Sequence, residues 1–236
     1  MFTLLKKEVS NFLSSLIGFI VIIVFLWFIP LDFNILDYGY AGLDGLFLIS
    51  PFVFLFLIPA ITMRSFADEK KIGTIEILLT KPLSDMQIIL AKYFASIVLV
   101  VFSLLPTLIY LYSVYQLGLP KGNLDMGGIW GSYIGLLLLG ASFAAIGIFS
   151  SSITDNQIVS FIISVFLCGS IYMGFELIYS LSLFGKFDLF IKSLGISHHY
   201  ASISRGVIDT RDILYYLSII TLFVLLTKLS LQSRKW

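Results

Sequence analysis

Side chains able to do chemistry are few and scattered in this sequence. The two histidines are adjacent, His198 and His199. Neighbours in sequence point in different directions on a helix, so this pair is not spaced to share a metal ion. They read as ordinary loop or gate-lining residues. Cys168 is the single cysteine and lies in an apolar run, where a thiol packs rather than reacts, and it cannot form an internal disulfide. Asp209 with Asp212 is too slight a pair for acid–base work, and the clustered His, Asp, Ser or Cys expected of a polytopic membrane enzyme do not occur. No Gly-x-x-x-x-Gly-Lys-Ser/Thr run is present, so nothing here cradles nucleotide phosphates as a P-loop does. One acidic residue, Glu176, falls well inside an apolar run, and a carboxylate there is by default a functional hypothesis because its burial is costly. It lies close enough to the outer end to reach headgroups or a basic residue of the last outer loop instead. The chain is therefore read as having no catalytic, metal or cofactor site of its own.

The elements that hold these residues are set by composition. Of 236 residues, 58% are hydrophobic and only 12% charged. A water-soluble domain carries about a quarter charged residues, so lipid must cover the rest of this surface. Mean hydropathy of +1.01 agrees. A net charge of +1 gives no basic face for nucleic acid. A helix needs roughly 20 apolar residues to cross a bilayer, and six stretches qualify: about 12–31, 46–63, 88–117 with Pro106 inside it, 128–152, 157–183 and 213–231. The expected fold is all-α, a single membrane domain of six transmembrane helices over 1–236. The first stretch is too long for a cleaved signal peptide and lacks a small-residue cleavage site.

Lysines and arginines fix the orientation. With the N-terminus inside, ten of the fifteen fall on inner segments (Lys6, Lys7, Arg64, Lys70, Lys71, Lys81, Lys92, Lys228, Arg234, Lys235). Five fall outside, at Lys121, Lys186, Lys192, Arg205 and Arg211. The excess of basic residues marks the cytoplasmic side, and an even number of spans returns the C-terminus to it.

Phe2, Leu5, Val9 and Phe12 recur at helical spacing with Lys6, Lys7 and Glu8 largely between them. That pattern reads as an interfacial helix, or as a frayed lead-in to the first span. The inner loop from Arg64 to Lys92 packs nine charges into 29 residues. Gly73 breaks a helix there, Ile75, Leu78 and Leu79 give a short helix an apolar face, and Pro82 stops it. Ser84 with Gln87 is a capping box that starts the next helix. The short helix is either a docking element or part of a loop kept solvated by its charges. In the fourth span, Gly131, Gly135, Gly140, Ala144, Gly147 and Ser151 let helices approach closely, within the subunit in the favoured reading and between subunits in the other. In the last outer segment, Phe187, Phe190, Ile191 and Leu194 form an apolar face, which suits short interfacial or re-entrant helices.

The run from Arg64 to Ser84, with its acidic pair Asp68-Glu69, Gly73-Thr74, Leu78-Leu79 and Pro82-Leu-Ser84, followed by Ile88 to Lys92, resembles the signature of type-2 ABC transporter permeases. Ser204-Arg-Gly-Val-Ile-Asp209 and Asp212 to Ser218 are similar to that family's outer loop and last span. Within the family the nearest likeness is to the permease of the gliding-motility transporter of gliding bacteria.

The resemblance implies that Gly73 to Lys81 is a coupling helix seated on a separate ATPase, which binds the ATP and magnesium, with Glu69, Gly73, Thr74, Ile75, Glu76, Leu78, Leu79 and Lys81 as the coupling residues. It implies contact of the N-terminal helix with that ATPase, a second permease copy or a related permease, an auxiliary motility subunit, and work in export or motility at a bacterial inner membrane. It also implies an outer gate before the sixth span, near which Glu176 and Arg205 are the pathway or gate residues. A stand-alone carrier or channel is the alternative, although such proteins place ionisable groups or broken helices at the midplane and here only Pro106 and Glu176 hint at either.

Overall fold

A computed structural model of the chain describes residues 2–13, 23, 43–79, 84–118, 121–122, 124–182 and 185–233, with backbone alone at 13, 77–79 and 186. Every regular element among them is helical: α1 (Phe2–Leu13), α2 (Asp44–Thr62), α3 (Arg64–Ile72), α4 (Thr74–Leu79), α5 (Asp85–Leu104), α6 (Leu108–Leu117), α7 (Met126–Ile153), α8 (Gln157–Gly169), α9 (Phe175–Ser180), α10 (Asp188–Ser193), α11 (Ile196–Ile203) and α12 (Thr210–Gln232). Among the described residues, five helices are long and apolar enough to cross a membrane: Asp44–Ile72, Asp85–Leu117, Met126–Ile153, Gln157–Ser180 and Thr210–Gln232. The expected first span, 12–31, lies almost wholly outside the described residues.

The helix Met126–Ile153 is the hub. It packs against α2, α5, α8, α11 and α12, and 78% of its most apolar stretch is buried. Its small residues explain how. A Cβ on Gly131 would come within 2.4 Å of the Ile203 carbonyl oxygen, and one on Gly147 within 2.0 Å of Thr62 Oγ1. The glycine stripe thus serves packing inside one subunit. The fourth and fifth of these helices are only 22% buried over the same measure and stand at the periphery, showing Ile162, Phe166, Leu214 and Leu222 outward.

Prolines shape two spans. Pro106 replaces a turn of α-helix by a 3-10 turn, Leu105–Thr107, between α5 and α6, and the Tyr133 hydroxyl donates to the Thr107 carbonyl there at 3.2 Å. The break falls at the proline, which has no N–H to continue the helical ladder. Pro51 lacks an N–H, so the carbonyl of Phe47 four residues earlier has no helical donor. The Tyr200 hydroxyl of α11 fills that vacancy at 2.8 Å.

Several boundaries differ from those read off the sequence. Beyond the apolar stretch expected to end at Met63, the helix from Asp44 continues through a turn to Ile72, and Gly73 breaks it where the sequence places the break. The span expected over 157–183 ends at Ser180 and contains a π-helical segment, Ser170–Gly174, for which no local signal was read. On α1 the packed face is Leu4, Leu5, Glu8, Val9 and Phe12, whereas Phe2 is exposed. Phe187 and Phe190 carry their apolar surface outward from the short helices of the last segment, both largely exposed.

Candidate functional site

The segment between Arg64 and Leu79 sits at the end of the bundle where α1 and the end of α12 also meet. Gly73 has φ +78°, a left-handed conformation that costs any residue with a Cβ, and its N–H closes α3 on the Lys70 carbonyl at 3.1 Å. The chain therefore turns sharply, and α4 leaves the direction of α3 as a separate short helix.

Around the buried face of α3, Ser65, Phe66 and Ala67, the bundle closes in from several helices. Ser151, at the end of α7, has a wholly buried hydroxyl that accepts from the Phe66 and Ala67 N–H groups at 2.9 and 3.0 Å and donates to the Met63 carbonyl at 3.0 Å. A turn inside a long helix leaves such groups without helical partners, and one serine satisfies three of them. Lys70 Nζ and the Ser230 hydroxyl of α12 both donate to the Ser152 carbonyl, the latter at 3.0 Å. Gln157 of α8 donates to the Asp68 carboxylate.

The fourth side is ionic. Lys92 of α5 is 2% exposed, yet its ammonium lies 2.8 Å from Glu69 Oε1 and 3.1 Å from Glu8 Oε1, over the Phe66 ring at 5.1 Å. A buried cation persists only when paired, and here two carboxylates and an aromatic face surround it. The triad binds α1, α3 and α5 into one unit. Pattern reading put Glu8 largely on the polar side of α1 and counted Lys92 among the charges of the inner loop, without pairing the two. The register held the clue: Ile88, Ile89, Lys92, Tyr93 and Ser96 share the buried face of α5. The predicted capping box is present, with Gln87 N–H on Ser84 Oγ at 3.3 Å and Ser84 N–H on Gln87 Oε1 at 3.1 Å.

The sequence-predicted residues divide accordingly. Thr74 and Glu76 are exposed on α4 and Ile75 is half-buried against the core. The side chains of Leu78 and Leu79 and the whole of Lys81 lie outside what is described. Glu69 does not face outward with α4 but turns in to Lys92. At the opposite end Arg205 and Glu176 are both exposed, and no basic side chain among the described residues pairs with Glu176.

His199, read as an ordinary loop or gate-lining residue, is 12% exposed and bonded through both ring nitrogens, to Asp212 and to the Ser193 carbonyl. Its place beside Ile196, Tyr200 and Ile203 on the buried face of α11 was the available signal.

A family model described as "ABC-2 family transporter protein" matches residues 33–194. The chain belongs to this family. The match runs through the turn at Gly73 and the ionic triad's Glu69 and Lys92, and stops within α11's approach at Leu194. The chain is thus a multi-pass membrane protein and the permease component of an ABC-type transporter, a role distinct from that of a catalytic subunit. No curated protein matches the chain.

Proposed function

We propose that α4, with the exposed face of α1 beside it, docks on a separate ATPase and that the helix Asp44–Ile72 carries the resulting displacement across the membrane. The single observation behind this reading is the contrast at Gly73. On one side α4 projects Thr74 and Glu76 outward, while on the other α3 is bonded to α5, α7 and α8, with α1 reached through Lys92 and α12 through the shared Ser152 carbonyl. A push on α4 meets a rigid unit rather than a loose loop. At 29 residues, Asp44–Ile72 is about 44 Å long, enough to link that unit to Tyr200 near its other end.

In this reading the lysine-rich end is cytoplasmic, the membrane is a bacterial inner membrane, ATP and magnesium bind the partner, and two permease chains form the transmembrane unit. Closure of two ATPases brings the coupling helices together, and the helices bearing them move as rods. The work is export or gliding motility, the latter with an auxiliary subunit.

The test is purification from native membranes with identification of bound proteins, for the intact chain and for one with residues 73–81 scrambled. Capture of a P-loop ATPase by the intact chain and its loss on scrambling is the expected result. Equal capture by both forms removes α4 as the dock, and no ATPase with either form removes the coupled reading. Glu76→Ala or Gly73→Ala should then separate ATP hydrolysis from output in the reconstituted complex while the spans stay folded.

A further inference from the structure

The helix Asp44–Ile72 is longer than a bilayer needs, and its own charges mark where the excess lies. No charged residue falls between Asp44 and Arg64. That stretch rises about 30 Å, the thickness of the hydrocarbon core, so α3 stands beyond the core. From Arg64 to Ile72 the helix climbs about 12 Å more, whereas the headgroup layer on one side is only about 5–8 Å deep. Lipid does not reach the tip of α3. What covers it comes from the aqueous side.

At that tip Ile72 is 72% exposed. Its register is that of a packed residue. Ser65, Glu69 and Ile72 succeed one another on one face of α3, and the first two are covered, Ser65 within the bundle and Glu69 against Lys92. The packed face thus runs on past its neighbours and ends in an uncovered isoleucine. Lys71, Gly73 and Thr74 beside it are exposed as well, while Ile75 turns back to the core.

The charge around Ile72 is one-sided, because the carboxylates nearest to it are engaged inside the chain. Glu8 and Glu69 face Lys92, and Asp68 accepts from Gln157. Lys71 keeps its ammonium in the open, with no ion pair among the described residues. Lys6, Lys7 and Arg64 are exposed at the same end, against Glu76 and Asp155.

We propose that Ile72 and Lys71 anchor the partner ATPase, Ile72 entering an apolar hollow and Lys71 meeting carboxylates on its rim. The inference rests on the docking of α4 on that ATPase. It adds that contact begins before Gly73, on the tip of α3, and that the receiving surface is acidic. Load taken up by Ile72 enters the helix Asp44–Ile72 directly, whereas load on α4 must pass the turn at Gly73. The isoleucine contributes through the apolar area it buries, and the lysine through association rate and its salt dependence.

The test compares complexes purified from native membranes with the native chain, I72S, K71E and, as a control at the opposite end, V207S, whose valine is 67% exposed. The co-purified P-loop ATPase should fall roughly five- to tenfold in I72S and in K71E and stay unchanged in V207S. Rising salt should strip it from the native chain, and less steeply from K71Q. Capture by the native chain that is lost on scrambling 73–81 yet kept by I72S and K71E overturns the anchor alone. No capture by the native chain overturns the docking reading with it. A second measurement spares the binding variants: a fluorophore on I72C, in the chain with Cys168→Ala reconstituted in lipid, should be quenched by iodide and not by brominated lipid. Adding back the ATPase recovered with the native chain should shield it from iodide. Quenching by brominated lipid makes the membrane the occupant and overturns the proposal, as does iodide access that the ATPase leaves unchanged.

Discussion

The Tyr200 hydroxyl donates at 2.8 Å to the carbonyl of Phe47, the carbonyl that Pro51 deprives of its helical donor. An imperfection in one membrane helix is thereby the socket for a side chain 153 residues away, and it joins the segment before α12 to the helix that bears α3 and α4. Tyr200→Phe removes the donor and leaves a buried carbonyl unpaired, at a cost of about 1–3 kcal/mol. Pro51→Ala restores an N–H to the same carbonyl. The double variant should therefore lose less than the sum of the two single changes in thermal unfolding of the lipid-reconstituted chain. Simple additivity would show that the two residues do not share this carbonyl.

Lys92 gives the second prediction. Lys92→Met leaves Glu8 and Glu69 facing each other across a site with 12% and 21% side-chain exposure. Breaking such a buried pair by removing one partner costs about 3–5 kcal/mol. Adding Glu8→Gln and Glu69→Gln removes the stranded charges and should recover most of the loss, as read by thermal denaturation. If Lys92→Met alone is neutral, the triad does not hold α1, α3 and α5 together.

Much of this was legible because it is local. Apolar runs of bilayer length, the Ser84–Gln87 box, the break at Gly73 and the close-packing glycines of α7 are each fixed by residues a few positions apart. The partnerships that matter most are not. Glu8 and Lys92 are 84 positions apart, and although spacing puts Glu8 on the face of Leu4, Leu5 and Phe12, nothing within α1 names Lys92 as its partner. Asp212 and His199 lie on different helices, and their pairing depends on the turn at Gly206. The π-helical turn at Ser170–Gly174 depends on how α8 and α9 seat against their neighbours, which a 3.6-residue pattern does not encode.

Two glycines should respond in different ways to the same change. Gly131→Ala places a Cβ 2.4 Å from the Ile203 backbone oxygen, which is not the end of a flexible side chain, so α11 must shift from α7. Overpacking of this kind costs about 1–3 kcal/mol and should lower the melting temperature of the whole bundle. At Gly73 the space for a Cβ is open, and only the positive φ opposes it, at about 1–2 kcal/mol. That strain is local. Limited proteolysis near α4 should quicken in Gly73→Ala with the melting temperature little changed, and the reverse pattern would contradict both assignments.

Asp209 carries a pH prediction. Its carboxylate caps α12 by accepting from the Arg211 N–H at 3.0 Å, and that backbone bond holds its carboxyl below the usual carboxylate range. A depressed carboxyl contributes stability above its unfolded value, about 3.9, and loses it as pH falls through the lower folded value. Asp209→Asn keeps a capping oxygen without the charge. Amide exchange in the first turn of α12, corrected for its intrinsic pH dependence, should rise on acidification in the native chain and stay flat in the variant. Equal acid sensitivity in both would assign the effect to another group.

Ser151 tests whether the fastening of α3 transmits force or merely stabilises the fold. Its hydroxyl satisfies the Phe66 and Ala67 N–H groups and the Met63 carbonyl together. Ser151→Ala leaves those groups unpaired where water is excluded, at about 1–3 kcal/mol for an unsatisfied buried group. Ser151→Thr keeps the hydroxyl and adds only a methyl. If α3 must move with α7 for a push on α4 to reach the far end, the alanine variant should bind its ATPase normally and hydrolyse ATP with reduced output, and threonine should restore the ratio of output to hydrolysis. A loss of stability with that ratio unchanged would make Ser151 a structural clamp and direct the search for the transmission path to the Lys92 triad, the ionic link between α3 and α5.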